Sequence, residues 1–164
     1  IVRSSFISIF ASLFVIGVLA SLFFKRVLWG ILAIVPLTSA VIINFGFMGF
    51  FGIELSHVTA ILSSIIIGVG VDFAIHYISQ FRRLSRSMSS EKVSKEVVED
   101  VGYPIVLDAA SNMGFGALVF SAFVPIQYIG GLMVFAMLST SLGTLTILSA
   151  ITELFKKRLI LKGQ

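Results

Sequence analysis

The chain has 164 residues, of which 57% are hydrophobic and only 12% are charged. Soluble domains carry about 25% charged residues, and the mean hydropathy of this chain is +1.07. So few charges cannot cover the surface of a soluble domain of this length, which excludes an ordinary soluble enzyme and a disordered chain. The absence of cysteine excludes disulfides, zinc–cysteine sites and thiol chemistry. The composition therefore predicts a protein whose solvent is a lipid bilayer.

Five stretches are long and apolar enough to cross a membrane as helices, which takes about 20 mostly apolar residues. In chain order they are residues 6–24, 27–51, 58–79, 102–123 and 126–152. None of them alternates with a period of two, as the strands of a membrane barrel do. We therefore expect an all-α membrane protein in which residues 1–164 form a single transmembrane domain of five helices.

The basic residues predict how these helices are oriented. Eleven of the 12 lysines and arginines fall beside the helix ends on one side of the membrane, and Arg3 is the exception. The positive-inside rule makes that side cytoplasmic, so the N-terminus lies outside and the C-terminus inside. A first helix that enters from outside is natural when another helix and an extracytoplasmic domain precede it. We expect the C-terminal membrane portion of a larger protein, in a bacterial or archaeal cytoplasmic membrane.

Residues 80–101 form a polar connector between the third and fourth helices. Its valines recur at helical spacing among charged residues, and Glu91 and Lys95 form a favourable i,i+4 pair. The pattern is typical of a short amphipathic helix at the cytoplasmic membrane surface, and a solvated connector is the other interpretation. Because acids nearly balance bases here, no nucleic-acid partner is expected.

Two carboxylates interrupt the apolar helices, Asp72 in the third and Asp108 in the fourth. An ionisable group inside a membrane costs about 2.5 kcal/mol or more and marks a functional site by default. Counted from the predicted inner helix ends, both lie about 9 to 10 Å deep, which permits a shared polar layer. Helical spacing places His76 with Asp72, and Ser111 and Asn112 with Asp108. These five residues are a candidate proton relay, in which His76 stabilises the charge of Asp72 or passes its proton on.

A structural interpretation stands beside the functional one. Asp72 and Asp108 are also explained as hydrogen-bonded carboxyls that lock helices together, and His76 as a packing or interfacial residue. Asn44, in the second helix, predicts an interhelical hydrogen bond. Metal binding by Asp72 and His76 fits their spacing, but two ligands do not predict a metal site. Four glycines flank the acids, and small residues let membrane helices approach closely; they are Gly68, Gly70, Gly114 and Gly116.

The third helix contains the run Gly68-Val-Gly-Val-Asp72-Phe, and the fourth begins with Gly102-Tyr-Pro-Ile. This pair of motifs resembles the resistance-nodulation-division (RND) superfamily, especially its MMPL-like exporters of hydrophobes and lipids. Patched, Dispatched and the sterol-sensing-domain proteins are similar more distantly. The resemblance covers nearly the whole chain. It implies the last five helices of a six-helix repeat, with a second repeat and large extracytoplasmic domains elsewhere in the protein.

The resemblance also implies that Asp72 is the proton-coupling carboxylate, whereas drug-exporting relatives tend to carry a hydroxyl residue at the place of Asp108. The leading hypothesis is the membrane part of an exporter of hydrophobic or lipidic substrates, driven by the proton motive force. One alternative is a lipid- or sterol-sensing module that moves no ion, and another is a SecD/SecF-type accessory of protein export. We expect no enzymatic activity and no cofactor beyond the coupling proton. The expected partners are membrane lipids, the substrate, the missing repeat and outer domains, and a second copy of the chain.

Overall fold

A computed structural model describes residues 2–54, 56–87 and 92–161 of the chain. This part consists of helices joined by short turns, and no strand occurs in it. Its α-helices are α1 (Val2–Phe23), α2 (Val27–Phe50), α3 (His57–Leu84), α4 (Val93–Asn112), α5 (Val124–Gly143) and α6 (Ser149–Leu161). A 3₁₀ helix, Met113–Phe120, continues α4, and a π-helical turn, Thr144–Leu148, joins α5 to α6.

Five segments of the described chain are long and apolar enough to cross a membrane. They are Phe6–Phe23, Val27–Phe50, Ile61–Leu84, Val93–Phe120 and Val124–Phe155. The fourth span therefore combines α4 with the 3₁₀ helix, and the fifth combines α5, the π-helical turn and most of α6. The prediction of an all-helical, multi-pass membrane protein with five spans is confirmed.

The connector before the fourth span differs from the prediction in one respect. Residues 93–101 are helical and amphipathic, but they form the beginning of α4 rather than a separate helix. The reason is that Val93, Val97 and Val101 are buried in the same core as the helix that follows. Lys95 Nζ lies 3.7 Å from Glu99 Oε1, and the pair predicted with Glu91 lies outside the described residues.

The core of the bundle forms where α2, α3 and α5 pack against one another. Its fully buried side chains include Phe73, Tyr77 and Phe81 of α3, Leu37 of α2 and Met137 of α5. The span that contains α4 is the least buried of the five, and α1 packs at the edge against α2 and α3. Their large exposed apolar side chains are suited to contact with lipid. This arrangement makes α3, the helix that carries Asp72, the central scaffold of the bundle.

Candidate functional site

One face of α3 carries half of the predicted relay. Gly68, Asp72 and His76 follow one another at i,i+4 spacing, and all three are exposed. Ser79 and Arg83 continue the same exposed line toward the C-terminal end of the helix. We call these five residues the α3 polar face. It is a nearly straight line of polar or small residues on the surface of the five-span unit.

The opposite side of α3 explains why this face points outward. Phe73, Tyr77 and Phe81 also recur at i,i+4 spacing, and each is at most 1% exposed. Burial of three aromatic side chains against α2 and α5 sets the rotation of α3 about its axis, because each contributes about 1.5–3 kcal/mol. Tyr77 adds a buried hydrogen bond between its hydroxyl and Thr152 Oγ1 of α6, at 3.0 Å. Asp72, next to Phe73, is thereby turned away from the core.

Asp72 lies further from the end of its helix than the sequence predicts. The helix continues to Leu84 instead of ending at Ser79, so Asp72 is twelve residues, or about 18 Å, from its end. Asp108 is likewise further from the beginning of its helix, because α4 begins at Val93 rather than Gly102. Each carboxylate therefore falls near the middle of its span, where an ionised group is most costly.

The register between α3 and α4 places the two carboxylates at one level. Gln80 Nε2 of α3 donates a hydrogen bond to Asp100 Oδ2 of α4. The two helices run in opposite directions, and Asp72 and Asp108 each lie eight residues from this contact on the same side of it. Equal residue counts give equal depths, about 12 Å beyond the contact. In the described part of the chain, no hydrogen bond or ion pair joins the α3 members of the predicted relay to the α4 members.

The α4 half of the predicted relay is partly assembled. Asn112 Nδ2 donates to the backbone oxygen of Asp108 at 3.0 Å and approaches Asp108 Oδ1 at 3.4 Å. The amide therefore orients the carboxylate from one turn further along the helix. Asp108 and Ser111 are both exposed. Among the described residues no three His, Asp or Glu side chains group closely enough to hold a metal ion.

The four glycines near the acids fall into two kinds. A Cβ atom added at Gly70 would lie 2.5 Å from Thr140 Cγ2 and 2.7 Å from Leu37 Cδ2, so this glycine lets α3 approach α5 and α2. At Gly116 the added atom would lie 3.0 Å from Val134 Cγ2. At Gly68 and Gly114 it would meet open space. The small residues beside the exposed acids are thus uncovered in this five-span unit.

Several features of the structure cannot be predicted from the sequence. Gly130 of α5 lies against the backbone of the 3₁₀ helix, which no spacing pattern indicates. Asn44, predicted to form an interhelical hydrogen bond, is buried, and neither atom of its amide group has a partner among the described residues. Arg82 folds back over the rings of Phe24 and Trp29. The only available signal for these sites was the presence of a polar or small residue in an apolar helix.

Comparison with known proteins gives a family and a relative. The protein family described as "Sterol-sensing domain of SREBP cleavage-activation" matches residues 22–155 of the chain. A protein of Methanocaldococcus jannaschii, whose name describes it as a membrane protein, is 28% identical over 149 residues. That match covers 88% of this chain but 38% of the relative, so the chain spans less than half of the relative's length. No solved structure matches the chain.

Proposed function

Because the chain belongs to the sterol-sensing domain family, we propose that it is the membrane module of a proton-driven exporter of hydrophobic or lipidic molecules. In this proposal Asp72 is the residue that carries the coupling proton. Lipid handling is what the family's description suggests. Proton coupling and export go beyond that description, and these two parts of the proposal rest on the chemistry of the α3 polar face.

The observation that carries the proposal is the exposure of Asp72 at the middle of its span. An ionised carboxylate facing lipid at that depth is strongly unfavourable. The cost falls if another group of helices covers the face and encloses a small polar space there. The open space beside Gly68 and Gly114 leaves room for such helices to approach closely. We assign this covering role to the second repeat that the RND resemblance implies.

Within such a covered interface, the protonation state of Asp72 would select between two arrangements of the helices. The neutral acid is tolerated in a dry, closed interface, whereas the carboxylate requires water or a polar partner. Proton uptake and release would thus drive alternation between the two. His76 lies one turn, or about 6 Å, nearer the cytoplasm, on the route by which the proton would leave. Asp108, at the same level as Asp72 and oriented by Asn112, would tune the proton affinity of the pair.

A second candidate function is lipid or sterol sensing without ion movement. It is favoured by the family description and by an apolar cavity of about 400 Å³ between α1 and α2. Ligand pockets fall in this size range and are mostly apolar. Phe14, Leu22 and Ile31 are among the side chains that line this cavity. In this case Asp72 would be a structural residue, and transport would play no part.

Substitution of Asp72 by Asn separates the two functions. Asn keeps the size and hydrogen-bonding capacity of Asp but cannot ionise. The full-length protein would be reconstituted in vesicles, with a fluorescent short-chain phospholipid and a fluorescent sterol as probes, under an imposed pH gradient. We expect Asp72→Asn to reduce gradient-driven movement of the probe to the level of protein-free vesicles. Asp72→Glu should retain part of it.

Asp100→Asn is the matched control, since it removes the same charge near the cytoplasmic surface while Asn can still accept the hydrogen bond from Gln80. This variant should transport normally, and all variants should be expressed and folded to similar levels. Full gradient-driven transport by Asp72→Asn would refute the proton-carrier role. Binding of the sterol probe that is independent of the gradient and unchanged in Asp72→Asn, without transport in the wild type, would favour the sensing module.

A further inference from the structure

A cavity of about 310 Å³ opens between the inner ends of α1 and α3. Three arginines, one serine and two phenylalanines line it, and no acidic residue does so among the described residues. The residues are Arg82, Arg83, Arg86, Ser79, Phe23 and Phe24. A cavity that presents several hydrogen-bond donors of positive charge, and no compensating acid, is suited to an anion with several oxygen atoms.

Within the described part of the chain, no acidic residue lines this cavity beside its three arginines. Lys95 and Glu99 of α4 form an ion pair with each other, and neither residue lines the cavity. Arg26, in the turn after α1, and Arg86 are both close enough to Arg82 to repel it. Like charges held together in this way are unfavourable. A bound anion would relieve that repulsion.

Arg82 is held in position before any ligand binds. Its guanidinium carbon lies 5.3 Å from the ring centre of Phe24 and 5.9 Å from that of Trp29. Phe81 packs beside the Trp29 ring, with centres 6.0 Å apart. A guanidinium group fixed in this way loses little freedom when it binds an anion. A charge that served only to orient the protein in the membrane would need no such docking.

The surroundings of the cavity point to a lipid rather than a soluble anion. The charge pattern puts the inner ends of α1 and α3 at the level of the cytoplasmic headgroups. From Phe23 at the cavity, Leu19 and Val15 continue at i,i+4 spacing into the membrane, and these three side chains are 68%, 59% and 53% exposed. They form an apolar strip that an acyl chain can follow, which a soluble anion would leave unused.

The geometry points to a binding site for the phosphate group of an anionic phospholipid of the cytoplasmic leaflet. The guanidinium groups of the three arginines donate hydrogen bonds to the phosphate oxygens, and the acyl chains lie along the exposed strip of α1. Basic pockets between membrane helices on the cytoplasmic side bind anionic headgroups in this manner. The site shares Ser79 and Arg83 with the C-terminal end of the α3 polar face, but it does not include Asp72 and does not depend on proton coupling.

Lipid binding to the purified full-length protein tests the site, with native mass spectrometry as the measurement. Short-chain phosphatidylglycerol and phosphatidylcholine are compared as ligands. The test variant is Arg83→Gln/Arg86→Gln, which leaves Arg82 docked. The control is Lys92→Gln/Lys95→Gln, which removes the same charge from the same side of the membrane but outside the cavity. We expect phosphatidylglycerol to bind more tightly than phosphatidylcholine, and the test variant to weaken its binding about 25-fold, at about fivefold for each basic residue.

Three results would overturn the site. Equal weakening in the test and control variants would show general attraction to a basic surface. If millimolar inorganic phosphate displaces phosphatidylglycerol, and the protein binds phosphate and phosphatidylglycerol with equal affinity, the cavity is a site for a soluble anion.

If the Gln variant does not fold, Arg83→Lys/Arg86→Lys is the second variant. It keeps the charge and should bind phosphatidylglycerol several-fold more weakly, because lysine cannot form a bidentate contact. Unchanged affinity in that Lys variant would also contradict the assignment.

Discussion

Asn44 lies in the C-terminal half of α2 with 4% of its surface exposed, and neither atom of its amide group finds a hydrogen-bond partner among the described residues. A buried amide without a partner costs about 1–3 kcal/mol. We therefore expect Asn44→Leu to stabilise the folded protein by about 1–2 kcal/mol, because the replacement removes an unsatisfied polar group and keeps most of the volume. Thermal unfolding in detergent measures this change.

Thr38→Val on the same helix is the control for Asn44→Leu. Thr38 Oγ1 already donates to the carbonyl oxygen of Ile34 at 3.0 Å, so removing this hydroxyl should bring no comparable gain in stability. A lower unfolding temperature for Asn44→Leu would show that the amide is satisfied by a group from another part of the complete assembly. At this scale, the sequence predicted an interhelical hydrogen bond that the described part of the chain does not form.

The contact between α5 and the 3₁₀ helix depends on one glycine. A Cβ atom at Gly130 would lie 2.8 Å from the backbone nitrogen of Val119 and 3.0 Å from the backbone oxygen of Phe115. Backbone atoms cannot rotate aside as a side chain can, so the two elements would have to separate. We expect Gly130→Ala to destabilise the protein by about 2 kcal/mol or more, as measured by thermal unfolding.

Gly131 provides a matched control one residue along the same helix. An added Cβ there meets open space, so Gly131→Ala should be neutral or stabilise the helix by up to about 1 kcal/mol. If the two variants lose stability equally, the close approach of α5 to the 3₁₀ helix is not the reason for the glycine.

The turn after α1 holds a lysine where helix ends usually place glycine. Arg26 N–H donates to Ser21 O at 2.9 Å and Lys25 N–H to Leu22 O at 3.1 Å, the pattern of a Schellman motif. The motif puts Lys25 at a φ of 56°, which costs a residue with a side chain about 1 kcal/mol. We therefore expect Lys25→Gly to raise the free energy of unfolding by up to about 1 kcal/mol.

The turn after α2 is the natural comparison for Lys25→Gly. It has the same bonding pattern, with Ile53 N–H donating to Met48 O at 2.9 Å, and its left-handed residue is already Gly52, at a φ of 65°. Gly52→Ala should destabilise by a similar amount, since it introduces the strain that Lys25→Gly removes. Changes of the same sign in both variants would contradict this account of the two turns.

The charges predict the orientation of the whole molecule in the membrane, and this orientation can be tested chemically. The chain contains no cysteine, so single cysteines can be placed without a competing thiol in this module. Glu54 follows α2 and Ser87 follows α3, and both are exposed. We expect an impermeant maleimide to label Glu54→Cys from the outside of intact cells and Ser87→Cys only after the membrane is opened. Labelling of both positions in intact cells would refute the five-span orientation.

The sequence by itself determined the number of spans, the side on which positive charge collects, and the line of polar residues along α3. These features depend on composition and on spacing within one helix, so they can be read without knowing any neighbour. Only the tertiary structure showed that α3 and α4 extend beyond the predicted apolar stretches, which places Asp72 and Asp108 near the middle of the two spans. It also decided that Gly70 and Gly130 are packed while Gly68 and Gly114 are open, and that Arg82 docks on two rings. The physical reason is that packing space and ring contacts arise between helices, from residues that lie far apart in the chain.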